Sequence, residues 1–192
     1  MLRATKAGRT RIVKILIAAG ADIEQANIKG LTPIIAATFI GKERLFDYLL
    51  GIGADPTRLD TTGKTSIIYA SARGFHSIVK KLLNFGIDVN SSYGNDLTAL
   101  MWAAGYSNDV PAAEGEQTVS LLLSHGAKVN LQDNRGWTAL TIASYRGHIG
   151  VVRLLLNSGA DAKIKSRNGE LAANVAKQHG HLEIYKLLAS TE

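Results

Sequence analysis

A period of 33 residues runs through this chain and limits what it can fold into. Threonines that precede apolar runs are spaced by 33, 33 and 40 residues, at Thr32, Thr65, Thr98 and Thr138. Glycines that end Leu-rich runs repeat the same spacing, at Gly20, Gly53, Gly86, Gly126 and Gly159. A third series marks the middle of each repeat, at Gly8, Gly41, Gly74, Glu114, Gly147 and Gly180. Concordant periods of this length are typical of solenoids built from stacked repeats, here with one seven-residue insertion.

Each repeat has the pattern of two short helices. In one repeat Thr32 can cap a first helix through its hydroxyl, and Pro33 occupies the first helical position, where it lacks only an unneeded N–H. Gly41 then ends this helix, and a Leu-rich second helix runs to Gly53. Helices this short bury their apolar faces only by stacking on neighbouring repeats.

This unit resembles the ankyrin repeat, which reads Gly-x-Thr-Pro-Leu-His-x-Ala, then Gly, then Leu-Leu and Gly-Ala-Asp. The resemblance covers residues 2 to 189 and implies an all-α solenoid of helix-turn-helix pairs joined by β-hairpin-like loops. It implies a concave face lined by hairpin tips and first helices, with second helices on the convex face. The chain is predicted to be a single domain, 1–192, of six repeats: 1–26 as the N-cap, 27–59, 60–92, 93–132, 133–165, and 166–192 as the C-cap.

The family's His after Thr-Pro-Leu is replaced in every repeat, which implies that its hydrogen bonds are absent. The residues that stand there are Ile35, Ile68, Met101, Thr141 and Asn174. Leu171 replaces the capping Thr of the last repeat. The first repeat starts inside its first helix, so it is either a natural cap or a truncation.

Composition and spacing give no support to catalysis. The chain has no Cys, which excludes disulfides, thiolate zinc sites and Cys nucleophiles. His148 and His181 each follow a mid-repeat Gly, and the resemblance explains both as ordinary turn residues. We therefore predict that the chain is not an enzyme and has no catalytic residue, cofactor or metal.

The resemblance implies that a partner is held by the hairpin tips and the exposed side of the first helices. The predicted partner-binding residues at these positions are Leu31, Phe39, Ile40, Arg73, Leu97, Tyr106, Arg135, Trp137, Tyr145, Arg146 and Arg167. Trp, Tyr and Arg dominate interface hot spots. The alternative is that these side chains pack on neighbouring repeats. Trp102 is predicted to lie in the core.

The predicted function is a non-catalytic scaffold that binds a partner protein or peptide on the concave face. The arginines indicate an acidic partner. The alternative is binding of nucleic acid or an anionic surface through a basic groove, because the net charge is +6. It is weaker, because the basic residues are spread over all repeats without a nucleic-acid motif. A third alternative is that the chain is a fragment of a larger multidomain protein.

Three further expectations concern state and location. We expect a monomer, and no membrane insertion, because no apolar run approaches the ~20 residues that span a bilayer. Two locations are compatible with the sequence: the cytoplasm, or export directed by an upstream signal that has been removed. The insertion, residues 106–113, is predicted to project without disturbing the stack, so that its deletion leaves folding intact. Both a partner contact and a neutral insertion fit it.

Overall fold

The computed structural model describes residues 1–190, whose regular secondary structure is almost entirely helical, with turns and loops between the helices. The helices are α1 (Leu2–Lys6), α2 (Thr10–Ala18), α3 (Pro33–Phe39), α4 (Glu43–Gly51), α5 (Ser66–Ala72), α6 (His76–Asn84), α7 (Ala99–Ala104), α8 (Ala112–Ser124), α9 (Ala139–Arg146), α10 (Ile149–Asn157), α11 (Ala172–Gln178) and α12 (Leu182–Ala189). Two short strands, β1 (Ser92–Tyr93) and β2 (Leu97–Thr98), form an antiparallel hairpin that pairs Ser92 with Thr98. The predicted all-α fold class is confirmed.

The chain divides into two compact units. Unit 1 comprises Met1–Ala70 with Ser77–Ile87, and unit 2 comprises Ser71–His76 with Asp88–Glu192. In unit 1, α1 packs on α2 and α3, and α3 packs on α4. In unit 2 the first helices α7, α9 and α11 stack on one another, and the second helices α8, α10 and α12 form another layer. Unit 2 therefore has two helical layers with an aliphatic core between them, as Leu122, Val152 and Leu155 show by their complete burial.

The capping threonines act as the sequence predicts. The hydroxyls of Thr32, Thr98 and Thr138 accept hydrogen bonds from the backbone N–H three residues later, at 3.2 to 3.4 Å. These bonds satisfy one of the N–H groups that a helix start leaves without an intrahelical partner. Each first helix of this kind begins directly after its threonine.

Other side chains occupy the position of the missing family His and bond the same part of the backbone. The Thr141 hydroxyl accepts a hydrogen bond from the Thr138 N–H at 3.4 Å, and the Asn174 carboxamide oxygen accepts one from the Leu171 N–H at 3.1 Å. The Met101 sulfur lies 3.5 Å from the Thr98 nitrogen. The bonds of His are absent, as expected, but three repeats form the reciprocal half of a capping box with other residues.

The insertion packs on unit 2 through Tyr106 and Val110, so the prediction that it projects is wrong for these two residues, while most of its other residues are exposed. Val110 is 8% exposed, and the Ser107 N–H donates to the Ala72 carbonyl at 3.3 Å. Ala112 and Ala113 of the insertion begin α8, which has 13 residues where α10 has nine. Glu114, aligned with the mid-repeat glycines, lies inside α8 and not in a turn. The extra residues are partly an added helical turn and partly a loop that is mostly exposed, although Val110 is buried.

The structure also places Trp102 differently from the sequence-based prediction. It is only partly buried, and it lines an open cavity beside Met101, which is fully buried. Trp102 therefore lies at the edge of the core, with its Nε1 buried, and not fully inside it as predicted. The repeat spacing located its helix correctly but did not determine which side of this six-residue helix the indole occupies.

Candidate partner-binding surface

The hairpin tips are held by one polar side chain in each of four repeats. Asn27, Asp60, Asp133 and Ser166 each accept hydrogen bonds from the backbone N–H groups two and four residues later. These positions follow the repeat period, and short polar side chains stabilise turns in this way. The tips are consequently fixed by buried or half-buried acceptors and do not depend on contacts with a partner.

Neighbouring tips within a unit are joined by backbone hydrogen bonds. In unit 1 the Thr61 N–H donates to the Lys29 carbonyl at 3.1 Å. In unit 2 the Asn134 N–H donates to the Asn95 carbonyl at 3.1 Å, and the Arg167 N–H donates to the Arg135 carbonyl at 2.9 Å. These bonds fix the spacing between successive tips.

A glycine is needed where tips meet. A Cβ at Gly136, whose φ is +76°, would lie 2.7 Å from the Arg167 nitrogen. A Cβ at Gly30, whose φ is +70°, would lie 2.9 Å from the Asp60 Cα. Both contacts are with backbone, which cannot rotate away, so each glycine is required for conformation and for space.

Unit 2 carries a contiguous group of aromatic rings and arginines, which we call the aromatic–arginine cluster: Arg135, Trp137, Tyr145, Arg146 and His179. The Arg135 guanidinium lies over the Trp137 ring at 4.3 Å, and the ring centroids of Trp137 and Tyr145 are 5.4 Å apart. The Tyr145 ring meets the His179 ring nearly edge-on at 4.4 Å. Such contacts order large side chains without burying them, since Tyr145 remains 37% exposed.

Asp133 fixes the orientation of Arg135 in this cluster. Its side chain is 1% exposed, and its Oδ2 accepts hydrogen bonds from Nε at 2.9 Å and Nη2 at 2.6 Å of Arg135. The guanidinium itself stays 54% exposed. Two hydrogen bonds to one oxygen of an anchored carboxylate hold the Arg135 guanidinium beside Trp137 and leave it accessible to solvent.

A cavity of about 310 Å³ adjoins this cluster in unit 2. Its lining combines apolar side chains with tip amides and arginines: Asn95, Leu97, Met101, Trp102, Asn134, Arg135, Ile142 and Arg146. Asn95 and Asp96 have φ angles of 57° and 61°, which is uncommon for residues other than glycine. The left-handed tip brings Asn95 to the edge of the cavity.

A larger cavity of about 440 Å³ lies in unit 1, and we call it the lysine-rimmed cavity. Its floor and rim are made by Leu31, Phe39, Ile40 and Tyr69 with Lys6, Lys29 and Lys64. Phe39 is 47% exposed, although its ring packs edge-on against Tyr69 at 5.5 Å. The volume is in the range of pockets that accept ligands, roughly 300–1,000 Å³.

Asp60 lies in this cavity, but its carboxylate is occupied by internal hydrogen bonds. Oδ1 accepts from the Thr62 N–H at 2.7 Å and the Lys64 N–H at 3.0 Å, and Oδ2 accepts from the Tyr69 hydroxyl at 2.5 Å. Burial raises the pKa of Asp60, but these bonds together lower the pKa below its ordinary value. Burial, with the Asp60 bond second, raises the pKa of Tyr69 to about 12.

The predicted partner-binding residues fall into separate places. Leu31, Phe39 and Ile40 line the lysine-rimmed cavity, and Leu97 lines the unit 2 cavity. Arg135, Trp137, Tyr145 and Arg146 form the aromatic–arginine cluster, and Arg167 is exposed on the adjoining tip.

Two predicted residues are engaged within unit 2. Tyr106 was expected to face solvent, and that expectation is wrong, because it is 5% exposed and stacks on His148 at 3.8 Å. The reason is Gly115, which leaves room for the Tyr106 ring above α8. Arg73 forms an ion pair with Asp109 of the insertion at 3.3 Å.

Sequence reasoning missed Lys6, Asp60 and Tyr69, which complete the lysine-rimmed cavity. The repeat period offered a signal for Asp60, since it is one period after Asn27. Lys6 gave no such signal, because it belongs to the incomplete first repeat.

The histidines act in turns, as predicted. Nδ1 of His148 lies 3.1 Å from the Ala104 carbonyl oxygen, and Nε2 of His181 lies 3.1 Å from that of Tyr145. Burial lowers the pKa of His148, assisted by the charges of Arg146 and His181 against the opposing Ala104 bond. Among residues 1–190, no group of three or more His, Cys, Asp or Glu is arranged to hold a metal ion. None of the helices in that range is long and apolar enough to cross a membrane.

Basic residues occur in every repeat, as expected, but the net charge differs between the two units. The segments that form unit 1 contain twelve Lys and Arg against six Asp and Glu, a net charge of +6. The segments of unit 2 contain ten of each, a net charge of zero. The whole basic excess of the protein therefore belongs to unit 1.

Comparison with known proteins agrees with this architecture. A family model described as ankyrin repeats matches three times, over residues 1–92, 34–111 and 110–192. A stretch of 56 residues is 48% identical to ankyrin repeat domain-containing protein 63 of Homo sapiens, and equally to that of Mus musculus. This stretch is 29% of the present chain but only 14% of either relative. The family model spans the whole chain, and the chain belongs to the ankyrin repeat family.

Proposed function

We propose that this chain is a non-catalytic scaffold that binds a partner protein through the aromatic–arginine cluster of unit 2. Ankyrin repeats are generally protein–protein interaction modules and not enzymes. The observation that carries the proposal is the contact chain from Arg135 over Trp137 to Tyr145 and His179. It gathers the residue types that dominate hot spots on one partly exposed surface.

The cluster is suited to binding because it is already ordered. Asp133 holds both the tip backbone and the Arg135 guanidinium, so little side-chain freedom is lost when a partner covers them. The neighbouring cavity of about 310 Å³ offers Leu97, Trp102 and Ile142 as an apolar wall and tip amides as hydrogen-bonding groups. This combination suits a protein segment, which presents both apolar side chains and backbone amides.

The test is affinity capture from the native organism with the wild type, a cluster variant and a control variant of the chain. The triple variant Trp137→Ala, Tyr145→Ala, Arg146→Ala is expected to weaken partner binding at least about 30-fold, because one hot-spot residue alone contributes about 2 kcal/mol. The control removes one exposed apolar side chain, one tyrosine and one arginine from second helices: Leu182→Ala, Tyr185→Ala and Arg153→Ala. Circular dichroism checks that both variants remain folded.

Partner capture that survives the cluster variant, or is lost equally in the control, contradicts the proposed surface. The competing function is binding of nucleic acid or another polyanion. The observation that favours it is the net charge of +6 on unit 1. A polyanion interaction weakens steeply with salt. Binding that weakens steeply with salt and is unaffected by the cluster variant would indicate the polyanion function, whereas capture through the cluster is expected to be lost in that variant at low and high salt alike.

A further inference from the structure

We propose that the lysine-rimmed cavity of unit 1 is a subsite for one large apolar side chain carried by an acidic peptide segment. This inference rests on the proposed function, because it assigns a second contact region to a protein partner. It concerns a different unit, different residues and a different chemistry from the aromatic–arginine cluster. The two are therefore separable by experiment.

The floor of the cavity is apolar and partly uncovered. Leu31 and Ile40 line it, and Phe39 remains 47% exposed even with its ring against Tyr69. Exposed apolar surface beside a concavity favours burial by an incoming side chain, at roughly 25 cal/mol per Å² covered. The cavity volume of about 440 Å³ leaves room for an apolar side chain and its adjoining backbone.

The rim carries positive charge that the cavity does not neutralise. Neither Lys6 nor Lys29 forms an ion pair with any residue in the described range 1–190. Asp60 is the one carboxylate among the residues that line the cavity, and both of its oxygens accept internal hydrogen bonds. Carboxylates beside an inserted apolar side chain would therefore meet two lysines without competition.

The charge of the surrounding unit selects the same kind of partner. Unit 1 has a net charge of +6 and unit 2 has none, so an acidic segment is attracted toward the unit that holds this cavity. A peptide is favoured over a nucleic acid because the floor has an apolar concavity. The Phe39 and Tyr69 rings meet edge-on at 89° and do not form a stacking platform for bases.

The experiment uses fluorescein-labelled pentapeptides and the whole chain. The probe is Glu-Asp-Phe-Asp-Glu with blocked ends. The two comparison peptides are Glu-Asp-Ala-Asp-Glu and Lys-Lys-Phe-Lys-Lys, and a single-stranded oligothymidylate is the nucleic-acid control. Fluorescence anisotropy is expected to show the Phe-containing acidic peptide binding at least about tenfold more tightly than either comparison peptide. Methyl NMR is expected to show its largest shifts at Leu31 and Ile40.

Charge reversal on the rim provides the matched variants. Lys6→Glu with Lys29→Glu is expected to weaken probe binding at least about tenfold. Lys163→Glu with Lys165→Glu makes the same change in net charge at exposed positions of unit 2 and is expected to leave binding within about twofold. All four side chains are exposed, and circular dichroism verifies the fold.

Three results would each overturn the subsite. Both charge variants could weaken probe binding equally, the Phe and Ala peptides could bind with the same affinity, or the oligothymidylate could bind more tightly than the probe. The cluster variant Trp137→Ala, Tyr145→Ala, Arg146→Ala is expected to bind the probe normally. If the rim variant binds the probe as tightly as the wild type, the subsite is wrong. The cluster proposal then still depends on its own capture experiment.

Discussion

Replacing Gly115 by Ala reverses the usual effect of a helical glycine. Gly115 lies inside α8, where Gly→Ala normally stabilises by roughly 0.5–1 kcal/mol. A Cβ at this position would overlap both Cδ1 and Cε1 of the Tyr106 ring. The Tyr106 ring is 5% exposed and lies flat against His148, with 3.8 Å between centroids and a 7° interplanar angle. The ring therefore has little room to move away.

Overpacking of a buried site costs about 1–3 kcal/mol. After subtraction of the helical gain, Gly115→Ala is expected to lower the free energy of unfolding by about 1–2 kcal/mol. The matched control is Gly51→Ala in α4, where a Cβ meets nothing within 4 Å, and it is expected to stabilise by up to about 1 kcal/mol. Urea unfolding followed by tryptophan fluorescence reports unit 2, since both tryptophans lie there. Unfolding of the Gly51→Ala control, which lies in unit 1, is followed by circular dichroism.

A double-mutant cycle identifies the cause. In a Tyr106→Ala background the ring is gone, so Gly115→Ala is expected to become neutral or stabilising. If Gly115→Ala stabilises the wild type as Gly51→Ala does, the close contact between α8 and Tyr106 is not present. If it destabilises equally with and without the ring, the cause lies elsewhere.

Three further predictions concern the insertion, a tip and a buried His. Val110→Ala is expected to cost about 1–2 kcal/mol in urea unfolding, because Val110 is buried beside Gly74; no change would show that the insertion is loose. Asp60 has a lowered pKa, so its stabilising contribution is complete above the pKa of the unfolded chain and is lost as the pH falls through the folded value. The wild type is therefore expected to lose more stability than Asp60→Asn on acidification below about pH 4, and parallel curves would contradict this. His148 also has a lowered pKa, mainly through burial, so NMR titration is expected to place it below the ordinary range and Arg146→Ala to raise it; an unchanged value would remove Arg146 as a cause.

Much of the fold could be predicted because the repeat fixes local chemistry. Thr32, Thr98 and Thr138 cap their helices, and the glycines between helices, such as Gly41 and Gly147, have the positive φ that a turn requires. These features depend on a few neighbouring residues. A period in the sequence is therefore enough to locate them.

The insertion could not be predicted in the same way, because its packing depends on contacts distant in sequence. Val110 occupies the space beside Gly74, and Tyr106 occupies the space above Gly115. Both glycines could be read from the sequence, but nothing local indicates that an aromatic ring or a valine covers them. The repeat period also could not predict the additional turn of α8, because the other repeats contain no residues that align with it.

The candidate surfaces were predicted in part for a related reason. Trp137, Tyr145 and Arg146 occupy repeat positions that face outward, and the structure brings them into one cluster. Tyr106 occupies an equivalent position but is buried against α8 and the His148 ring. The lysine-rimmed cavity depends on Lys6, and the incomplete first repeat gave no periodic reason to place that side chain there.

The most direct test of the proposed surface is hydrogen–deuterium exchange of the chain with and without its captured protein partner. Binding at the aromatic–arginine cluster is expected to slow exchange in the tip at residues 133–137 and in α9. Exchange in the second helices α10 and α12 is expected to stay unchanged. Protection confined to α10 and α12, with none at the tip, would contradict the account.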